Sequence, residues 1–166
     1  TAATSAATPP LSGATRYYWR VRSTTACGQG PPTEASSFAT QAAFCQAPNL
    51  PIADTAPAVG VLQVPAGGTL SDLDLFIDAA HPFVYNLKLT LTHIESGVSL
   101  VVMQNPDCGA ADLTVTLDDE GTDGSVQNQC RVSPPSLFGR LTPAGPLATF
   151  DGQPQAGTWQ LRAENL

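Results

Sequence analysis

The stretch Asn86-Leu87-Lys88-Leu89-Thr90-Leu91-Thr92 places leucine at every second position, with polar side chains between. Successive side chains of a strand point to opposite faces, so this period marks a strand with one buried and one wet face. The same period continues outward. Leu73, Leu75 and Ile77 alternate with Asp72, Asp74 and Asp78. Val98, Leu100 and Val102 follow, then Leu113, Val115 and Leu117, then Trp159 and Leu161. Nearer the N-terminus, Tyr17, Trp19 and Val21 alternate with Tyr18, Arg20 and Arg22. Turn-forming clusters separate the runs: Pro65-Ala66-Gly67-Gly68, Glu95-Ser96-Gly97, Asp119-Glu120-Gly121-Thr122-Asp123-Gly124 and Pro143-Ala144-Gly145-Pro146. No helical periodicity competes. The pattern predicts an all-β chain whose short strands form antiparallel sheets stacked as a sandwich.

Composition narrows the function classes. The 166 residues carry 7 Lys+Arg against 14 Asp+Glu, a net charge of −7. So few cations cannot build the basic surface that phosphates require, which excludes nucleic acid and disfavours anionic membranes. Charged residues are 13% of the chain, about half the usual ~25%. No apolar run reaches the ~18 residues of a membrane span, so no membrane insertion is expected. No basic segment followed by an apolar one opens the chain, so no signal peptide is expected within it. The small, polar run Thr1–Pro10 reads as a linker or an edge left by cutting a longer chain.

Four cysteines are present: Cys27, Cys45, Cys108 and Cys130. None forms a C-x-x-C pair and only two histidines accompany them, so the spacing does not suggest zinc. Four cysteines allow three pairings, of which the local one, Cys27–Cys45 with Cys108–Cys130, is favoured. With it goes an oxidising, extracytoplasmic setting, either secreted or on a bacterial cell surface.

Composition shifts near residues 41–50. Before them only two good strands are predicted, around 16–23 and 36–40, and two strands are not stable alone in water. Residues 1–41 are therefore expected to hold the C-terminal part of a domain that starts outside the chain. Residues 42–48 form a linker, and 49–166 a nearly complete sandwich.

The segment Leu11-Ser12-Gly13-Ala14-Thr15-Arg16-Tyr17-Tyr18-Trp19-Arg20-Val21-Arg22, with Cys27-Gly28-Gln29-Gly30 and Ser37-Phe38-Ala39-Thr40, resembles the end of a fibronectin type III domain of secreted bacterial proteins. The resemblance implies that Tyr17 is the corner tyrosine, its hydroxyl bonding back to the preceding loop, and that Trp19 lies in the core. Residues 49–166 resemble the P domain (Homo B domain) of proprotein convertases. The motifs that carry this likeness are Asn49-Leu50-Pro51-Ile52-Ala53-Asp54, Gly68-Thr69-Leu70-Ser71-Asp72-Leu73-Asp74-Leu75, His81-Pro82-Phe83-Val84-Tyr85-Asn86-Leu87, Glu95-Ser96-Gly97-Val98 and Leu117-Asp118-Asp119-Glu120. Gly139-Arg140-Leu141-Thr142-Pro143, Leu147–Gln153 and Gly157-Thr158-Trp159-Gln160-Leu161 complete it. Tyr85-Asn86 stands where the family has Gly-Asp, and the chain stops soon after Leu161, so the expectation is either a truncated fragment or a sandwich without its last strand. The resemblance implies a jelly-roll, galactose-binding-like sandwich. It would be an accessory domain that packs on and stabilises a subtilisin-like or metalloprotease catalytic domain of the same parent chain. His81 would belong to the fold, not to a triad.

Residue chemistry supplies further candidates beside that likeness. Gly157-Thr158 lets the chain turn tightly into a strand, and Trp159 then reads as a core anchor; Leu87 is expected in the core as well. A serine protease site needs a nucleophile, a base and an orienting carboxylate. His81 and His93 are the only imidazoles, and no G-x-S-x-G occurs. Asp118, Asp119, Glu120 and Asp123 crowd one loop and are candidates for Ca²⁺, which takes about six to eight oxygens; the competing reading is a solvated acidic turn. Asp72, Asp74 and Asp78 could form a cation or partner site or a solvated face. Tyr18, Phe76, Phe83 and Tyr85 could stack on sugars. A carbohydrate- or surface-binding module therefore stands as the alternative to the protease accessory domain, and an enzyme comes last.

Overall fold

The computed structural model describes residues 8–9, 11–12, 15–40, 42–65 and 67–166. Part of the N-terminal linker, Gly13-Ala14 of the fibronectin-like stretch and Ala66 of the first turn cluster lie outside the described residues. The chain divides into two compact units, Thr1–Cys45 and Gln46–Leu166, and the division falls inside the 42–48 segment.

The first unit is built from β1 (Arg16–Trp19), β2 (Arg22–Thr25), β3 (Gly28–Pro32) and β4 (Ser36–Ala39). β1 pairs antiparallel with β4 and β2 with β3, giving two separate two-stranded ribbons. The long strand expected over 16–23 is thus interrupted between Trp19 and Arg22. The Ser12 N–H donates to the Tyr17 hydroxyl at 2.7 Å, and the Tyr17 ring stacks on Phe38 at 5.8 Å. Trp19 corrects the expectation of a core position, because it is 53% exposed. Its strand has one partner, and the described residues of this unit supply no second layer to cover its face.

The second unit is a sandwich. Its strands are β5 (Ala58–Val64), β6 (Leu75–Ala79), β7 (Leu87–His93), β8 (Val98–Gln104), β9 (Leu113–Leu117), β10 (Leu137–Leu141) and β11 (Gly157–Asn165). Four strands form an antiparallel sheet in the order β5-β11-β7-β8, and three form a second sheet in the order β10-β9-β6. β7 and β9 show the alternation best: Leu87, Leu89 and Leu91 are buried, as are Leu113, Val115 and Leu117. One apolar cluster joins the inner faces of both sheets. Trp159 is 8% exposed. Its indole N–H donates to the Gln155 carbonyl at 3.0 Å, and its ring lies against Phe150 and His93. Gly157, at φ 139°, makes the turn into β11.

One pairing departs from the antiparallel expectation: β10 runs parallel to β9. A parallel return needs a crossover of about a dozen residues or more, and the long Asp118–Ser136 segment supplies it. That crossover is tied down by the Cys108–Cys130 disulfide. The expected Cys27–Cys45 bond is not formed; both thiols are free and exposed. Cys27 sits in the turn between β2 and β3, and Cys45 lies in the irregular segment after β4. Nearness in sequence did not bring the two side chains together.

Candidate functional site: the outer face of the three-stranded sheet

In β6, β9 and β10 the residues out of phase with the core are Phe76 and Asp78, Thr114 and Thr116, and Phe138 and Arg140. Register sets them in rows. Phe138, Thr114 and Asp78 lie side by side, as do Arg140, Thr116 and Phe76. Phe76 is 64% exposed and Phe138 46%. By sheet geometry, two strands across and two residues along, the phenylalanines stand about 12 Å apart with threonines between. The Arg131 guanidinium lies 4.5 Å from the centre of the Phe138 ring.

A loop tied by a disulfide and main-chain hydrogen bonds rims this face. The disulfide holds Cys130, the Arg131 N–H donates to the Ser136 carbonyl at 2.8 Å, and the Ser136 N–H donates to the Asp112 carbonyl at 2.8 Å. Two depressions of about 250 Å³ each flank the row. One is lined by Asp123, Gln129, Arg131, Ser136 and Phe138. The other is lined by Asp78, Ala79, Asp112, Thr114 and Pro134.

The four carboxylates expected to offer a calcium site have other employment. Asp118 is buried, accepts the Glu120 N–H at 2.9 Å and is ion-paired to the Arg140 Nε. Asp119 accepts the N–H groups of Leu147 and Ala148, both at 2.8 Å, at the start of a short 3₁₀ turn. Asp123 accepts the Arg140 N–H at 2.8 Å, an approach that needs Gly139 (φ 110°) because a Cβ there would strike the Asp123 carboxylate. Among the described residues, no group of three or more metal-ligating side chains is assembled. The acidic loop is a structural knot around Arg140, which also meets both oxygens of Asp74 at 3.2 Å. Burial pushes Asp118 up, but the Glu120 N–H and the Arg140 guanidinium hold it below the usual carboxylate range. Glu120 is held above that range by its hydrogen bond to Asp118. Burial likewise raises Asp74, against the pull of Arg140.

Both imidazoles lie inside the sandwich. His81 is buried, its N–H donating to the Asp112 Oδ1 at 2.9 Å and its Nδ1 lying 2.9 Å from the Phe83 carbonyl. His93 is fully buried, with Nδ1 2.9 Å from the Ser96 Oγ and Nε2 3.1 Å from the Ala156 carbonyl. Tyr18, Phe83 and Tyr85 are exposed but lie outside the described sheet face. Sequence reasoning picked out Phe76 but missed Phe138 and the hub role of Arg140. The signal was present in Leu137-Phe138-Gly139-Arg140-Leu141, where a large aromatic occupies the wet phase of a strand. Compared with protein-family models, curated proteins and solved structures, the chain matches none.

Proposed function

We propose that this chain is a non-catalytic accessory piece of a secreted protease, subtilisin-like or metallo-, whose sandwich docks on the catalytic domain of the same parent protein. The observation that carries this reading is the pair Phe76 and Phe138, left exposed on the outer face of a hydrogen-bonded sheet beside a disulfide-pinned loop. Burying two such rings under a partner gives a large apolar gain at little ordering cost. The motif likeness to convertase P domains supports the choice of partner, and the disulfide supports an oxidising compartment. The mechanism is linkage: a module that binds the folded enzyme and not the unfolded one raises its stability.

The test is a melting experiment on a subtilisin-like catalytic domain mixed with the whole chain. The expected result is a concentration-dependent rise in the protease midpoint, lost in the F76A/F138A double variant that still shows the native circular dichroism. No rise at saturating concentration overturns the proposal.

A further inference from the structure

The two sheets have four edge strands, and they differ in how they are finished. At β10 the Asp123 carboxylate accepts the Arg140 N–H and the Asp123 N–H donates to the Arg140 carbonyl at 3.0 Å. At β8 the Gln127 side chain takes the Gln104 N–H at 3.2 Å and donates to its carbonyl at 2.7 Å, while the Ala144 N–H donates to Val102. β5 likewise has no bond to its outer edge among the described residues, and it carries no charged side chain. β6 shares that open edge and adds a charge, Asp78, beside an exposed Phe76. Among the described residues, no group other than β9 bonds the backbone of Leu75–Ala79. Alternate residues of β6 therefore turn their N–H and C=O groups outward, which is a template for another strand.

The side chains beside that edge have a consistent chemistry. Phe76 and Asp78 point out on the same face, about 7 Å apart along the strand. On the β9 side of Asp78 lies a shallow depression that it shares with Asp112 and Thr114, within the reach of a long side chain crossing β6 from an added strand. Asp78 Oδ1 accepts the Thr114 hydroxyl at 2.9 Å, and Asp112 Oδ1 accepts the His81 N–H at 2.9 Å. The second oxygen of each carboxylate has no protein donor among the described residues. Two carboxylates with oxygens to spare in one hollow give a cationic side chain a complementary seat, and the net charge of −7 draws a basic segment toward it. A second copy of this chain would instead bring acid against acid.

We propose that the free edge of β6 takes an extended basic segment as an added strand, its Lys or Arg seated between Asp78 and Asp112 and an apolar residue two positions away resting on Phe76. This rests on the docking reading and names the part of the partner that reaches the sandwich. Main-chain pairing supplies affinity, and the alternate side chains supply selectivity.

The experiment titrates the whole chain into a labelled peptide of alternating Val and Thr, with one Lys two residues from a Leu. Two control peptides carry Glu for the Lys, or methyl groups on alternate main-chain nitrogens. The Lys peptide is expected to bind, and both controls to lose about tenfold or more. Asp78→Asn and Asp112→Asn keep the Thr114 and His81 bonds; each is expected to cost about three- to tenfold in affinity and to flatten the salt dependence. Equal binding of the methylated peptide overturns strand addition. Unchanged affinity in both Asn variants overturns the cation seat. No peptide binding while the chain still raises the protease midpoint overturns this inference and leaves the docking reading standing. No rise and no binding removes both.

Discussion

Trp19 and Trp159 sit in strands with the same alternation of large apolar and polar residues. Trp19 is 53% exposed and Trp159 8%. The difference lies in what faces each strand. β1 has β4 beside it, and no described layer of its unit covers it. β11 has β5 and β7 beside it, and the inner face of a second sheet closes over it. A period of two specifies which side chains share a face; it does not specify that anything covers that face. The hydrophobic gain comes only from coverage, at roughly 25 cal/mol per Å² removed from water.

Replacing each tryptophan tests this most severely. Trp159→Ala deletes a ring packed against Phe150 and His93 and is expected to cost about 3–5 kcal/mol. Trp19→Ala in the same chain is expected to stay within about 0.5 kcal/mol, the range of surface substitutions. Urea melts followed by far-ultraviolet circular dichroism measure both. Equal costs for the two would break the comparison.

The cysteines draw the same line between the units. Cys108 and Cys130 close a crossover in the second unit with a sequence separation of 22. Loop-closure entropy puts the loss on removing that bond at about 3 kcal/mol. Cys27→Ser and Cys45→Ser remove exposed free thiols and are expected to leave the midpoint unchanged. A thiol titration of the native protein checks the assignment directly: Cys27 and Cys45 should react without denaturant, and Cys108 and Cys130 only after reduction. Protection of Cys27 and Cys45 would restore the pairing expected from the sequence.

What was legible and what was not follows from the reach of each physical signal. The strands at Leu87–His93 and Leu113–Leu117 were readable because their pattern is local and repeats on every second residue. The direction of β10 was not, because a parallel or antiparallel return depends on the path of the intervening crossover. The acidic loop was readable as a cluster of carboxylates, open between a calcium candidate and a solvated turn, while its ties to Arg140 and to the Leu147 and Ala148 N–H groups were not. The donor that organises it, Arg140, lies 22 residues beyond Asp118, in a different strand. Locality favoured both disulfides and succeeded only where folding also brought the two cysteines together. The candidate face was half legible: Phe76 stood out in an alternating run, while the run that holds Phe138 is short and broken by Gly139, so its period of two is weak.

Acid titration sharpens the comparison by the smallest effect. In the second unit three carboxyls are held below their usual range. Glu95 is held there by the N–H and hydroxyl of Thr158, both at 2.7 Å. Glu164 is held there by Arg162, with Lys88 adding to it. For Asp118 the Glu120 N–H and Arg140 overcome its burial. A carboxyl depressed in the fold adds stability that is complete above its unfolded value of about 4 and is lost as pH falls through the folded value. Asp74 and Glu120 are raised and act oppositely, their contribution present in acid and lost as pH climbs through their folded values. The depressed groups include the buried Asp118 at the Arg140 hub, so their sign prevails and the midpoint should hold near neutrality and fall below about pH 4. Trp19→Phe leaves Trp159 as the one indole, so its emission follows the core alone. On acidification that emission should shift to the red, and Glu95→Gln, which removes one depressed carboxyl, should make the loss shallower. A Trp159 signal that stays blue down to the acid limit would mean that these three carboxyls do not hold the sandwich, and that its core outlasts the charges around it.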